Sequence, residues 1–171
     1  DSNDFTVEVK TNCSGYPLYS SRLPETITWL RCKNCNHSFT DGYFDTDGME
    51  EIAKQSHDGQ SFSIEQSEQW RLICARIVTN VNHLQNNHKG RWLDIGFGNG
   101  SLLLTAQEFG YKVTGIDLRK STVEAIKPYI KDVRCQDFFD VDEFKKYDVL
   151  SMADVLEHVP DPYGLLAEIH R

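Results

Sequence analysis

Apolar residues recur along this chain with different periods, and each period marks a different kind of element. Phe5, Val7 and Val9 alternate with Thr6, Glu8 and Lys10, the two-residue repeat of a short half-buried strand. Thr26–Arg31 is a second strand candidate. Further on the spacing widens. Trp70, Ile73, Cys74, Ile77, Val78, Val81 and Leu84 fall on one helical face, which predicts a long helix whose stripe is core and packs on a sheet. Ser63 and Gln66 form a capping box at its start, and Asn86–Gly90 is the loop that ends it.

Beyond Gly90, short apolar runs alternate with helical patterns. The reading is strand 91–95, helix 101–109 closed by Gly110, strand 111–116 and helix 122–131 capped by Ser121 with Glu124. Strands 132–135 and 147–152 follow, then a helix beginning near 161. Alternating β and α elements predict a parallel sheet with right-handed crossovers. Its ligand is expected beyond the carboxyl ends of the strands. The chain thus divides into an N-terminal β module, residues 1–60, and an α/β domain, residues 61–171.

The α/β domain opens with Arg91-Trp-Leu-Asp94-Ile-Gly96-Phe97-Gly98-Asn-Gly100-Ser-Leu-Leu103. A buried strand runs into a turn with glycines at alternate positions and then into an apolar helix. Glycine tolerates positive φ and has no Cβ, so this backbone can lie directly against a ligand. Asp117 ends the next strand about 20 residues after Gly96, the separation at which nucleotide folds present a carboxylate to ribose hydroxyls. No Lys-Ser/Thr pair follows the glycines, which excludes a P-loop. The run is also one residue tighter than the dinucleotide fingerprint and is led by an acid.

This run resembles motif I of the class I S-adenosylmethionine-dependent methyltransferases. Val113-Thr-Gly-Ile-Asp117-Leu118 is similar to the second motif of that family, Val133-Arg-Cys-Gln-Asp137-Phe138 to the end of its third strand, and Tyr147–Pro162 to its fourth motif, in the Asp154-Val-Leu-Glu157-His158-Val-Pro-Asp-Pro162 form of small-molecule methyltransferases. The resemblance covers about residues 88–171. It implies a Rossmann-like doubly wound parallel sheet that binds S-adenosylmethionine. In that picture Asp117 takes both ribose hydroxyls, Leu118 packs on the adenine, and Asp137 accepts from the adenine amine beside Phe138. Asp94 makes a water-bridged contact to the methionine ammonium, and Gly96, Phe97 and Gly98 supply close backbone. Asp154 lies in the loop facing the transferred methyl.

Some roles stay open. Asp140 and Asp142 lie near Asp137 and compete for its role. His158 is either a general base for an acceptor hydroxyl, since histidine titrates near neutrality, or a residue that orients the cofactor loop. A non-catalytic cofactor-binding scaffold keeps the same glycines and Asp117. A nicotinamide-dependent oxidoreductase is disfavoured by the Gly-x-Gly-x-Gly spacing.

In the N-terminal module Cys32-Lys-Asn-Cys35 follows a strand on a polar turn, which reads as half of a zinc-ribbon knuckle rather than a redox motif. Cys13 and His37 are the candidates for a fuller ligand set, although Cys32, Cys35 and His37 crowd together. Methyltransferases of the type resembled carry an N-terminal ribbon with two such knuckles, and Asp1-Ser-Asn-Asp-Phe looks like the segment just after the first. A C-x-x-C upstream of residue 1, or an unfilled knuckle, are the two expectations. At the other end the chain stops in mid-helix at Leu165–Arg171, where the family continues to a further turn and three strands. A fragment of a longer protein is expected, with the fourth strand left as an apolar sheet edge.

Composition narrows the partners. The 171 residues are 39% hydrophobic and 11% aromatic, enough for one core and a small appendage. A net charge of −8 disfavours a nucleic-acid face, which is normally basic. The apolar runs are far shorter than the roughly 20 residues of a membrane span, and no leader pattern opens the chain. Five cysteines, with Cys74 and Cys135 expected as buried thiols, fit a reduced cytoplasm. The expected partner is a small-molecule or carrier-linked methyl acceptor.

Overall fold

Two stretches of strand-forming sequence fold as separate units, Asp1–Asp58 and Gly59–Arg171. The computed structural model describes residues 4–17, 19–42, 44–45, 47–48, 51–52, 62–141, 144–159 and 161–170.

The first unit holds an antiparallel sheet in the order β1-β2-β3, built from β1 (Phe5–Asn12), β2 (Thr26–Cys32) and β3 (Ser38–Thr40). Its register sets Phe5 against Cys32 and Asn12 against Thr26, with an irregularity between Val7 and Val9. Glu8 crosses all three strands. Its carboxylate pairs with Arg31 on β2 and accepts the Ser38 hydroxyl of β3 at 2.6 Å, and these bonds hold it below the usual carboxylate range. The alternation in β1 marks a strand correctly, but not a half-buried one: Phe5, Val7 and Val9 are 44%, 59% and 49% exposed. An edge strand of a three-stranded sheet is covered on one flank only, and here neither set of alternating side chains is buried.

The second unit is α/β. Its strands β4 (Arg91–Ile95), β5 (Lys112–Asp117), β6 (Val133–Cys135) and β7 (Val149–Ser151) form a parallel sheet in the order β6-β5-β4-β7. The chain lays β5 and β6 on one side of β4 and then crosses back to place β7 on the other. The strand order therefore reverses at β4, the switch point at which open α/β sheets bind ligands. The helices are α1 (Ile64–Leu84), α2 (Ser101–Glu108), α3 (Lys120–Ile126) and α4 (Pro162–His170).

Alternation along β4 buries both sheet faces. Trp92 packs with Cys74 and Val78 of α1, Leu102 and Ala106 of α2, and Val149. Leu93 and Ile95 pack on the opposite face with Ile116, Phe144 and Tyr147, where Ile169 of α4 joins them. A further cluster joins Leu103 to Val123 and Ile126 of α3.

Three local expectations are corrected. Ser63 caps α1 through the Gln66 amide at 3.1 Å, as its capping-box position implies. The apolar stripe of α1, however, is core only along one edge. Cys74 and Val78 are buried, whereas Trp70, Ile73, Ile77 and Leu84 are 50%, 49%, 39% and 83% exposed. The helix rests on α2, and a cylinder against a cylinder covers a narrow strip. Ser121 does not cap α3. The N-cap is Arg119, with no side-chain cap bond, because the Asp117 carboxylate accepts the Arg119 amide at 2.9 Å and starts the helix earlier. Cys135 is exposed rather than buried, since only Val133 of the short edge strand β6 faces the core.

Gly115 in the middle of β5 shows how closely α2 and the loop after β4 approach the sheet. A Cβ there would stand 2.6 Å from Leu103 and 2.8 Å from Phe97. Gly115→Ala is expected to cost about 1–3 kcal/mol by overpacking, read as a lower urea midpoint at unchanged m-value.

Candidate active site

The loop after β4 is shaped by three left-handed residues, Gly96, Gly98 and Gly100, with φ of 64°, 55° and 72°. A side chain at Gly96 would meet Val155 at 2.7 Å, and one at Gly100 would meet Ile126 at 2.1 Å. The loop is thus pressed between α3 and the segment after β7, with its backbone at the switch point. Its Gly96 amide donates to the Ile116 carbonyl of β5 at 2.8 Å. The Phe97 ring turns into the core with Leu103 and Val133, which leaves only its backbone at the loop.

Asp117 ends β5 and is 5% exposed. Its Oδ2 accepts the Gly98 amide at 3.1 Å and Arg119 Nη2 at 3.0 Å. Its Oδ1 accepts the Arg119 amide at 2.9 Å and Arg119 Nε at 3.0 Å. The two amides, one from each side, lock the carboxylate between the glycine loop and the start of α3. Leu118, next along, is 71% exposed. Its carbonyl accepts the Cys135 thiol at 3.4 Å, and the Gln136 amide donates to the Asp117 carbonyl at 3.3 Å, so the segment after β6 is drawn against the end of β5. There Asp137 caps a short helical turn through the Phe139 amide at 3.0 Å. Phe138 is half-buried against the core, with the Phe139 ring 3.9 Å away, centroid to centroid. Asp140 lies in the same turn, and Asp142 is outside the described residues.

On the other side of the switch point, Asp94 is 2% exposed. A polar chain reaches it across the sheet. The Trp92 indole donates to Ser151 Oγ at 2.6 Å, and that hydroxyl donates to Asp94 Oδ1 at 2.6 Å. Burial raises the Asp94 carboxyl to about 7, against the opposing effect of the Ser151 bond, and the Asp117 charge adds to the rise. Asp94 therefore changes charge near neutral pH.

The segment after β7 brings up the remaining candidates. Asp154 is exposed, with φ of 54°, a left-handed backbone that Asp adopts more readily than most residues. His158 is exposed in the turn Leu156–His158, its amide bonded to the Val155 carbonyl at 2.9 Å. Val155 is the residue against Gly96, so this turn is seated on the glycine loop. Asp94, Gly96, Gly98, Asp117, Leu118, Asp137, Asp154 and His158 all lie at or just beyond the carboxyl ends of the parallel strands. Two participants were missed. Ser151 is a polar residue in an apolar strand, and Arg119 is a cation two positions from a carboxylate. Both signals were present, but neither names its partner.

Cys32 and Cys35 lie in the other unit, on the turn that closes β2 onto β3. The fuller ligand set is not assembled: among the described residues no three His, Cys, Asp or Glu side chains converge as a metal site. Cys13 bonds Glu25 beyond the far end of β2, roughly 20 Å from Cys32 at strand rise, and the His37 ring stacks on Phe39. A cavity of about 680 Å³, with Cys13, Tyr16, Leu23, Ile27 and Phe44 in its wall, belongs to this unit and includes neither Cys32 nor Cys35. Among the described residues no helix is long and apolar enough to cross a membrane.

The second unit is a Rossmann-like α/β domain, with Asp94 and Asp117 near the strand ends at the switch point. A family model described as a methyltransferase domain matches residues 64–171, and the chain belongs to that family. It is 30% identical over 81 residues to a ubiquinone biosynthesis O-methyltransferase of Coxiella burnetii, covering 43% of this chain and 35% of that protein. The protein of the same name from Bradyrhizobium diazoefficiens is 31% identical over 94 residues, covering 52% of this chain and 37% of its own length. That of Histophilus somni is 30% identical over 104 residues, covering 52% and 44%. The chain spans less than half the length of these relatives.

Because the folded protein holds the Asp94 proton more tightly than the unfolded chain, the contribution of this group to stability is fully present below about pH 4 and is lost as pH rises through about 7. Asp94→Asn, which cannot ionise, is expected to remove a decline of roughly 2 kcal/mol between about pH 5 and 7. Urea unfolding at a series of pH values checks this; parallel profiles for parent and variant would contradict it.

Proposed function

We propose that this protein is an S-adenosylmethionine-dependent methyltransferase acting on a small-molecule acceptor. The observation that carries the reading is the joint placement of the glycine loop and Asp117, with a buried carboxylate oriented by the Gly98 and Arg119 amides at the strand switch point. The donor set suits the cofactor. Asp117 takes the ribose hydroxyls, and the exposed Leu118 offers an apolar surface to the adenine. Asp137 and Phe138 meet the far edge of the base, and the backbone of Gly96, Phe97 and Gly98 lies under the nucleoside. Asp94 answers the methionine ammonium, a cation that favours its charged form. None of these groups calls for a phosphate.

When bound, the cofactor supplies a methyl on an already electrophilic sulfonium, so the protein's main task is alignment. Asp154 and His158, on the segment seated against Gly96, stand on the acceptor side. The relatives are named as O-methyltransferases, which supports a hydroxyl as the accepting group. His158 then takes the hydroxyl proton. For the N-terminal unit, the reading is that Cys32 and Cys35 furnish two thiolates of a structural zinc knuckle whose other ligands lie outside the described residues. Metal analysis of the full-length natural protein tests it, and a zinc-free, folded protein would refute it.

Calorimetric titration with S-adenosylhomocysteine tests the cofactor assignment. Saturable binding is expected, with Asp117→Ala weaker by about 1.5–3 kcal/mol, the scale of hydrogen bonds to a charged group, and with no displacement by NAD(H). Labelled-methyl transfer to hydroxylated acceptors is expected to fall roughly a hundredfold in kcat in His158→Gln, with S-adenosylhomocysteine affinity unchanged. A loss of affinity with kcat preserved would make His158 a loop-positioning residue instead.

A further inference from the structure

A carboxylate has about four acceptor positions, two on each oxygen, and at Asp117 the protein itself fills them all. The Gly98 amide and Arg119 Nη2 are on Oδ2, and the Arg119 amide and Nε are on Oδ1. The two amides belong to the backbone and stay with the fold. The two guanidinium bonds belong to a side chain that is 26% exposed, on an aspartate side chain that is 5% exposed. They form a planar fork, one N–H to each oxygen, the arrangement in which the two hydroxyls of a vicinal diol also donate. Arg119 Nη2 lies 3.9 Å from the position a Gly98 Cβ would take, so the guanidinium sits over the open face of the glycine loop.

We propose that Arg119 is an internal competitor for the nucleoside diol, and so sets the affinity and ionic-strength dependence of the ribose subsite. The inference rests on the cofactor reading above. A diol reaches Asp117 by replacing the guanidinium fork while the Gly98 and Arg119 amides keep the carboxylate oriented. The exchange substitutes two neutral donors for a bidentate, charge-assisted pair. Its net gain is therefore smaller than that of a diol meeting a carboxylate held by amides alone. Salt weakens a partly exposed ion pair more than it weakens neutral hydroxyl bonds. Added salt should therefore favour the ligand, the reverse of the usual behaviour at a charged site.

The test is calorimetry with S-adenosylhomocysteine and with 5′-methylthioadenosine, which has the nucleoside half of the cofactor and no charge. Arg119→Met keeps most of the apolar stem and removes the fork; it is expected to bind both ligands roughly three- to tenfold more tightly than the parent. Arg119→Lys, a single-point donor, should fall between. For the parent, methylthioadenosine affinity should rise about two- to threefold between roughly 0.05 and 0.5 M salt, and this rise should vanish in Arg119→Met. Equal or weaker binding by Arg119→Met, with the parent insensitive to salt, overturns the proposal. If that happens while Asp117→Ala still loses S-adenosylhomocysteine, the cofactor reading survives and only the role of Arg119 fails. If neither parent nor Arg119→Met binds S-adenosylhomocysteine, both fail together.

Discussion

A carboxylate withdrawn from water must have its lone pairs answered, and much of the second unit is arranged around meeting that demand at Asp117. The Gly98 amide reaches it only because the loop after β4 passes through left-handed conformations that few residues other than glycine adopt. The Arg119 amide reaches it because the chain turns immediately after β5, which in turn decides where α3 begins. One buried charge thus fixes a loop, a helix start and the spacing of two strands. The same group ends β5 at the strand switch point, so the structural demand coincides with the proposed ribose subsite.

The other half of the crevice is organised by a different polar device. Trp92 and Asp94, both on the central strand, are joined by hydrogen bonds through Ser151 of the edge strand β7, inside a core that is otherwise apolar. Its members satisfy one another, as buried polar groups must. The cost falls on the carboxyl at the end of the line, which gives up its charge at neutral pH more readily than an exposed acid. A cation arriving in the crevice can restore that charge. Two acids flanking the glycine loop are therefore held differently, Asp117 by two amides and a guanidinium, Asp94 by a single hydroxyl.

Much of this was legible in the sequence where the signal was local. The strand 91–95, the glycine run, the acid at 117 and the Ser63 cap each depend on residues a few positions apart, and each took the predicted form. What was not legible depended on partners remote in the chain. Ser151 is an ordinary strand residue until β7 lies beside β4. Ser121 looks like a cap until Asp117 takes over the turn ahead of it. The apolar stripe of α1 has a helical period, but periodicity does not report how wide the covering surface is, so Trp70 and Ile73 read as core and are half exposed. Cys135 suffered the same error on a strand too short and too peripheral to bury both faces.

The two halves of the crevice also differ in how far apart their parts lie along the chain. Gly98 and Asp117 are 19 positions apart, whereas Asp94 and Ser151 are separated by 57. Loop closure grows only logarithmically, so joining the second pair costs roughly 1 kcal/mol more in chain entropy than joining the first. It is also the pairing of β7 with β4 that withdraws Asp94 from water. Near neutral pH that pairing is coupled to proton uptake, so acid favours the closing of the longer of the two loops.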